Sequence, residues 1–465
     1  MADVCVVYGR EDESTAADLQ ELLSKQYDVW WDEQIVGRFA EEIERELPRA
    51  GCVVALFSAS SRVKDTFGDE LRLAQKHNIP LLPVRLDQSD PPYSFGSYSY
   101  VDFQHWDGSA SHPAFRKLLK KVAAIVPPRK RPCRPPSIVD GVLTLPSVFF
   151  SVSSHETQLE PTDAMQALRV FGATPVLVSA YDLDPRREPT LLLEELKEYR
   201  AAGGFVLLDS GNYEASRLAD SQWTVENFAP ILQNSTFDRA FAFDVMNPAL
   251  EAEACVEQIV HAVTRDQAHT SNAVFPIVHA PKMPNGGNHL EALPTVIREV
   301  SKQLEPELIA VPERELGAGI IARALTVRAI REELGKLPWY QPLHILGTGN
   351  PWSIAVLAAA GADTFDGLEW CRVAMDADTE RIHHFQHFDF FADQANSSAL
   401  AAALIQDPST GFGGKVAFHN LNYFRDFTRL MQQMFADNAV EAFLAGLLGK
   451  KPAARVKESL PGCYR

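Results

Sequence analysis

The chain has 465 residues, more than one compact domain usually holds, so at least two folding units are expected. Apolar residues make up 46% and charged residues 23%, the balance of a soluble globular protein. The formal net charge of −17 makes the chain a poor generic binder of phosphate backbones. No run approaches the ~20 consecutive apolar residues of a bilayer span. Met1 to Tyr8 also lacks a basic segment ahead of an apolar one, so the expectation is a cytoplasmic protein with no membrane partner. Six cysteines without a CxxC pair read as reduced thiols rather than a disulfide or zinc scaffold.

Charge and composition divide the chain. The stretch PRKRPCRPP over 128–136 holds four basic groups and no acid, and its prolines resist packing. It reads as a tether, giving units at 1–126 and 137–465 with a linker at 127–136.

In the first unit VCVVY (4–8), CVVALFS (52–58) and IPLLPV (79–84) are continuous apolar runs, as expected of parallel strands covered on both faces. Helical segments lie between them. One is expected to be capped by Ser14 and to place Ala17 and Leu22 inward. Another aligns Phe39, Ile43 and Leu47 before Pro48 closes it. Strand–helix alternation over this length predicts an α/β, doubly wound sheet, with ligands beyond the C-terminal strand ends.

The residues at those ends are VVYGREDES, VWWDEQIVGR and SASSRVKDTFGDELRLA. Taken together they resemble the TIR (Toll/interleukin-1 receptor) domain of the bacterial and plant type, a flavodoxin-like fold. The resemblance implies self-association of TIR units and, in many members, cleavage of NAD as substrate at the nicotinamide–ribose bond. It places the essential glutamate at Glu70 and NAD contacts at Tyr8, Arg10, Trp31 and Asp32, with Asp32 to Arg38 as a self-association loop. Where the family has Trp–Cys, this chain has Phe67-Gly68-Asp69. The chemistry suits one carboxylate: nicotinamide leaves as a neutral molecule from a cationic ring, so only the oxocarbenium-like ribosyl cation needs stabilising. The alternative is that Glu70 is a solvated acid in a helix's first turn, where acids are favoured.

From Val142 onward the pattern becomes strand–helix repeats of roughly 20–35 residues. Eight strands are expected to begin near Ser147, Pro175, Phe205, Ala240, Ala273, Leu308, Leu343 and Asp363. That is the count of a (β/α)8 TIM barrel. Polar groups then stand at five strand ends: Asp209, Asp244, His279, Glu313 and Asp366. An isolated Asp after a strand is usually a helix cap, but a barrel gathers all its strand ends into one mouth.

Here DGVLTLPSVFFSV, LLDSGNYE, FAFDVMNP, LHILGTGNPWSIAVLAAAGADTFD and FHNLNYFRDFTRLM resemble tRNA-guanine transglycosylases in order and spacing over about 137–445. Such enzymes exchange guanine for a 7-deazaguanine through a covalent glycosyl–aspartate. The resemblance makes Asp366 the nucleophile and Asp209 the acid/base. Asp244 would bind the base edge beside Ser210 and Tyr213, with His279 and Glu313 completing a purine or deazapurine site. Crowded carboxylates would raise at least one pKa, which helps a proton donor.

The departures are specific. The family's Gln-Gly-Gly is His279-Ala280-Pro281 and its Val-Gly-Glu is Val311-Pro312-Glu313, so prolines replace residues that supply backbone N–H groups. The family's zinc site uses CxCxxC and a distant histidine. His419 remains, yet no cysteine lies between Cys371 and Cys463, and no zinc is expected. His383, His384 and His387 are read as surface or core residues.

The fusion suggests an NAD-cleaving TIR effector of bacterial anti-phage defence. Its barrel would sense a base, nucleoside or nucleic acid and control TIR assembly. The alternatives are an active base-exchange transglycosylase using TIR for self-association, and a signalling scaffold without catalysis.

Overall fold

The computed structural model describes residues 2–31, 43–45, 47–62, 65–89, 99–128, 133–155, 157–284 and 286–460, without the side chains of 65, 396 and 397. The chain divides into two compact units, 1–142 with 335–340, and 143–334 with 341–465.

The N-terminal unit is a parallel sheet of five strands: β1 (Val4–Val7), β2 (Val29–Trp30), β3 (Cys52–Phe57), β4 (Leu81–Arg85) and β5 (Val101–Asp102), in the order β2-β1-β3-β4-β5. Every residue of β1 and β3 is buried, which explains their uninterrupted apolar sequences. The order places the reversal of winding between β1 and β3, where such sheets leave a crevice at the strand ends.

Helix α1 spans Glu13–Ser24 and buries Ala16, Leu19 and Leu23, not the expected Ala17 and Leu22. Its N-cap is Asp12 rather than Ser14. The Asp12 side chain does not cap the helix; its Oδ2 accepts from the Ser58 and Ser60 hydroxyls at 2.6 and 3.1 Å. Helix α2 (Asp65–Lys76) turns Phe67, Leu71 and Ala74 into the core, where Phe67 meets Phe57 edge-on at 5.5 Å. Ile43 and Leu47 join the same core, whereas the Phe39 end of the expected helix lies outside the described residues.

The second unit is an eight-stranded parallel sheet: β6 (Ser147–Val152), β7 (Val176–Ser179), β8 (Val206–Asp209), β9 (Arg239–Phe241), β10 (Val274–Phe275), β11 (Ile309–Pro312), β12 (Leu343–Leu346) and β13 (Thr364–Gly367). The strands run β10-β9-β8-β7-β6-β13-β12-β11, and a parallel bridge between Ile277 and Ala310 joins the two edges. The result is a TIM-type barrel with helices between its strands. All eight strands begin within about two residues of the expected positions, since each is a short, mainly apolar run.

The interior is filled, not hollow. His344 of β12 packs against Phe149 of β6 and Phe241 of β9, with ring centroids 5.6 and 5.5 Å apart. After β13 come a hairpin (Val373–Asp376 with Arg381–His384) and the long helix Phe412–Ala436.

Candidate functional site

At the C-terminal ends of the barrel strands lies a cavity of about 290 Å³. It is lined by all seven residues that the sequence nominated in this unit: Asp209, Ser210, Tyr213, Asp244, His279, Glu313 and Asp366. Parallel strands deliver them together because each stands at or just beyond its strand's C-terminal end.

Asp366 ends the apolar part of β13 and is almost wholly buried. Its Oδ2 accepts the Ser151 hydroxyl at 2.8 Å. Its Oδ1 accepts the Gly347 N–H at 2.8 Å and faces His344 Nε2 at 3.1 Å. A carboxylate can only accept, so His344 donates from Nε2, while its Nδ1 meets the Thr364 hydroxyl at 2.8 Å. Three donors thus fix one carboxylate's orientation.

The glycines of GTG and FDG follow from close backbone approach. A Cβ on Gly367 would stand 2.4 Å from the Gly349 Cα, and one on Gly349 would stand 1.6 Å from Glu369 Oε2.

Asp209 closes β8, with its Oδ2 accepting the Gly211 N–H at 3.0 Å. Burial raises its pKa well above the usual carboxylate value, and Glu214, Asp244 and Asp366 push it the same way. A raised pKa is the direction that suits a proton donor. Burial also raises Glu214, whose Oε1 accepts from the Ser153 hydroxyl at 2.9 Å.

Asp244 behaves in the opposite way. Burial alone would protonate it, but His279 Nε2 at 2.6 Å and the Ser210 hydroxyl at 2.9 Å hold its pKa below the usual value. The other ring nitrogen of His279 meets Glu315 Oε1 at 2.9 Å. Burial opposes charge on His279, yet Asp244 and Glu315 raise its pKa to about 9. At neutral pH an imidazolium thus lies between two carboxylates, both nitrogens donating.

Glu315 also accepts the Ala280 N–H at 2.9 Å, so this segment turns its backbone donor to the protein. Glu313 meets Arg323 Nη1 at 2.8 Å. The Arg314 guanidinium lies 4.0 Å from the Tyr213 ring centroid at the cavity wall.

His344, Ser151 and Glu315 were missed from the sequence. His344 sits within an apolar strand run, which is itself a signal, because a polar residue buried in such a run needs a partner. Glu315 is turned inward by the 3-10 turn Glu313–Glu315, and two acids so close in sequence gave no means to choose between them.

The five described cysteines are free thiols. Among the described residues no group of three or more His, Cys, Asp or Glu is placed to hold a metal. His419 instead directs Nε2 to the Met375 carbonyl at 2.7 Å.

In the N-terminal unit, Tyr8, Arg10 and Trp31 follow β1 and β2 at the C-terminal edge of the sheet. The Tyr8 and Trp31 rings are 5.9 Å apart, with Trp31 buried and Arg10 exposed. Asp32 and the loop to Arg38 lie outside the described residues. Glu70 is half-buried and flanks the face that α2 buries through Phe67 and Leu71. It stands in the second turn of α2, not the first, beyond the strongest part of the helix dipole. Phe67 is buried in the core of this unit.

Residues 4–119 match the family model of the TIR domain, so the chain carries a TIR domain there. The C-terminal region is weakly similar to tRNA-guanine(15) transglycosylases. The enzyme of Haloarcula marismortui is 23% identical over 251 residues, covering 50% of this chain and 47% of the relative. That of Methanopyrus kandleri is 22% identical over 240 residues, covering 49% of each. The chain thus spans about half the length of the curated relatives it matches. Among the described residues no helix is long and apolar enough to cross a membrane.

Proposed function

We propose that the TIR domain cleaves NAD at the nicotinamide–ribose bond, as an effector of bacterial anti-phage defence. The barrel would bind a purine or deazapurine base, a nucleoside or a nucleic acid and so govern assembly of TIR domains. The observation that carries this reading is Glu70, half-buried on the helix after the third strand of a TIR domain. The C–N bond breaks with its electron pair neutralising the pyridinium, so nicotinamide needs no proton to leave. A carboxylate beside the ribose stabilises the cation left behind. Water then attacks to give ADP-ribose and a proton, or an adenine nitrogen attacks to close a ring.

The test is NAD consumption by the purified chain at concentrations that assemble TIR domains, wild type against Glu70→Ala, with and without infected-cell lysate. NAD loss confined to the wild type supports the reading. NAD intact under every condition overturns it.

A second reading is favoured by the mouth, where a carboxylate held by three donors and an acid of raised pKa share one cavity. Asp366 Oδ would attack an anomeric carbon as the glycosidic C–N bond breaks. The departing base would take the Asp209 proton, and an incoming base would reverse both steps. Base exchange lost in Asp366→Asn distinguishes this reading from the first.

A further inference from the structure

Arg314 stands between two acids in the 3-10 turn Glu313–Glu315, directly after β11. Both acids are engaged by the protein, Glu313 with Arg323 Nη1 at 2.8 Å and Glu315 with His279 Nδ1 at 2.9 Å. With both neighbours anchored, the turn carries the arginine between them, and its side chain lines the mouth.

The guanidinium is backed rather than neutralised. Its Cζ lies 4.0 Å from the Tyr213 ring centroid, a cation–π contact that orients the group without using its N–H donors. Glu315 Oε1, at 3.9 Å from Nε, lies beyond hydrogen-bond distance. Among the described residues the Arg314 side chain donates no hydrogen bond, and it is 43% exposed. Arg372, the other arginine of the mouth, donates to Glu369 Oε1 at 2.6 Å. Arg314 therefore offers an accessible fork of donors that meets no acceptor among the described residues.

The acids around it are largely offset. Glu313 and Glu369 are paired with Arg323 and Arg372, and His279 lies between Asp244 and Glu315. Burial raises the pKa of Asp209 and of Glu214, which moves both toward the neutral acid. Asp366, the remaining carboxyl group of the mouth, takes donors from Ser151, Gly347 and His344. An anion beside Arg314 thus meets one cation that the protein leaves open.

A planar fork with no acceptor of its own recognises an anion through two oxygens at once. Phosphate is the anion that a nucleoside carries, whereas a free base would leave the fork to water. We infer that the ligand of the mouth is a phosphorylated nucleoside, whose phosphate is held by the Arg314 guanidinium while the base enters the cavity. The phosphate belongs to a free nucleotide or to a strand. This inference rests on the reading of the mouth as a base site and narrows that reading from base to nucleotide.

The test is isothermal titration of the full chain with guanosine and with guanosine 5′-monophosphate. The monophosphate is expected to bind ~10-fold more tightly, the worth of a charge-assisted bidentate contact, and the advantage should shrink as salt is added. Arg314→Gln should erase the advantage, and Arg314→Lys, which keeps the charge but loses the fork, should restore part of it. The ratio of the two ligands is read within each protein, so a change in the amount of folded chain cannot imitate the result. The trinucleotide ApGpA separates the two sources: tighter binding than the monophosphate assigns a strand, weaker binding a free nucleotide, and Arg314→Gln must weaken whichever binds better. Equal binding of guanosine and its monophosphate overturns the inference and leaves the base site standing. So does a phosphate advantage that survives in Arg314→Gln. Binding of neither ligand overturns the base-site reading itself.

Discussion

His279 Nε2 and Asp244 Oδ2 meet at 2.6 Å inside the barrel mouth, and Glu315 holds the other side of the same ring at 2.9 Å. The arrangement sets a side-chain cation between two buried carboxylates. It leaves Asp244 charged and fully engaged by the protein, so a ligand meets a carboxylate whose geometry is already set.

Its pH dependence follows from the directions of the shifts. The folded His279 pKa is raised from 6.5 to about 9, so its contribution is complete below pH 6.5 and is lost as pH rises through about 9. Asp244 and Glu315 are lowered, so theirs is present above the ordinary carboxylate range and is lost as pH falls through the depressed values. His279→Gln removes the cation and leaves two buried carboxylates facing each other. It is expected to cost roughly 3–5 kcal/mol at pH 7 in denaturant unfolding. The gap between the two proteins should narrow as pH is raised past 9; a constant gap would mean that the histidine is neutral.

Asp209 provides a separation of stability from activity. Its pKa is raised by burial and by Glu214, so the folded state holds a proton that the unfolded chain releases above pH 3.8. Its contribution is therefore lost as pH rises through the folded value. Asn imitates the protonated acid without that dependence. Asp209→Asn is expected to be as stable as the wild type or more so at pH 8. Any base exchange should fall by ~10²–10⁴-fold, the usual worth of a positioned acid. A variant that loses stability and activity together would mark Asp209 as structural.

The barrel was legible because its strands are short apolar runs, five of them followed closely by a polar residue, as in LLD, AFAFD and TFD. Periodicity registers that pattern, and closure of the barrel does the rest by bringing distant strand ends into one mouth. Partner choice was not legible. Ser14 reads as the helix cap, yet the cap position falls to Asp12, whose carboxylate goes to Ser58 and Ser60 just beyond β3. Glu315, not its neighbour Glu313, holds His279, because a single 3-10 turn decides which side chain faces inward. Contacts between residues far apart in sequence or within one tight turn leave no period to detect.

Glu70 offers the most direct test of the N-terminal unit. It lies beside a buried stripe rather than in it, so truncation removes little packing. Glu70→Ala is expected to change unfolding free energy by no more than ~1 kcal/mol. NAD loss should fall below detection, whereas Glu70→Asp, a shorter acid, should retain a trace. Full activity in Glu70→Ala would assign the chemistry elsewhere.

Gly367 tests whether the mouth depends on backbone contact. An added Cβ would lie 2.4 Å from the Gly349 Cα and 2.7 Å from its nitrogen, both backbone atoms that no side-chain rotation can clear. Either β13 or the GTG turn must move, and the Gly347 N–H that orients Asp366 belongs to that turn. Gly367→Ala is therefore expected to cost about 1–3 kcal/mol, as overpacking does. It should also uncouple Asp366 from one of its three donors. Hydrogen exchange at the Gly347 amide reads this directly: protection should drop there more than along β6, whose pairing with β13 is spread over four residue pairs. Unchanged protection at Gly347 would show that the turn yields without releasing the carboxylate.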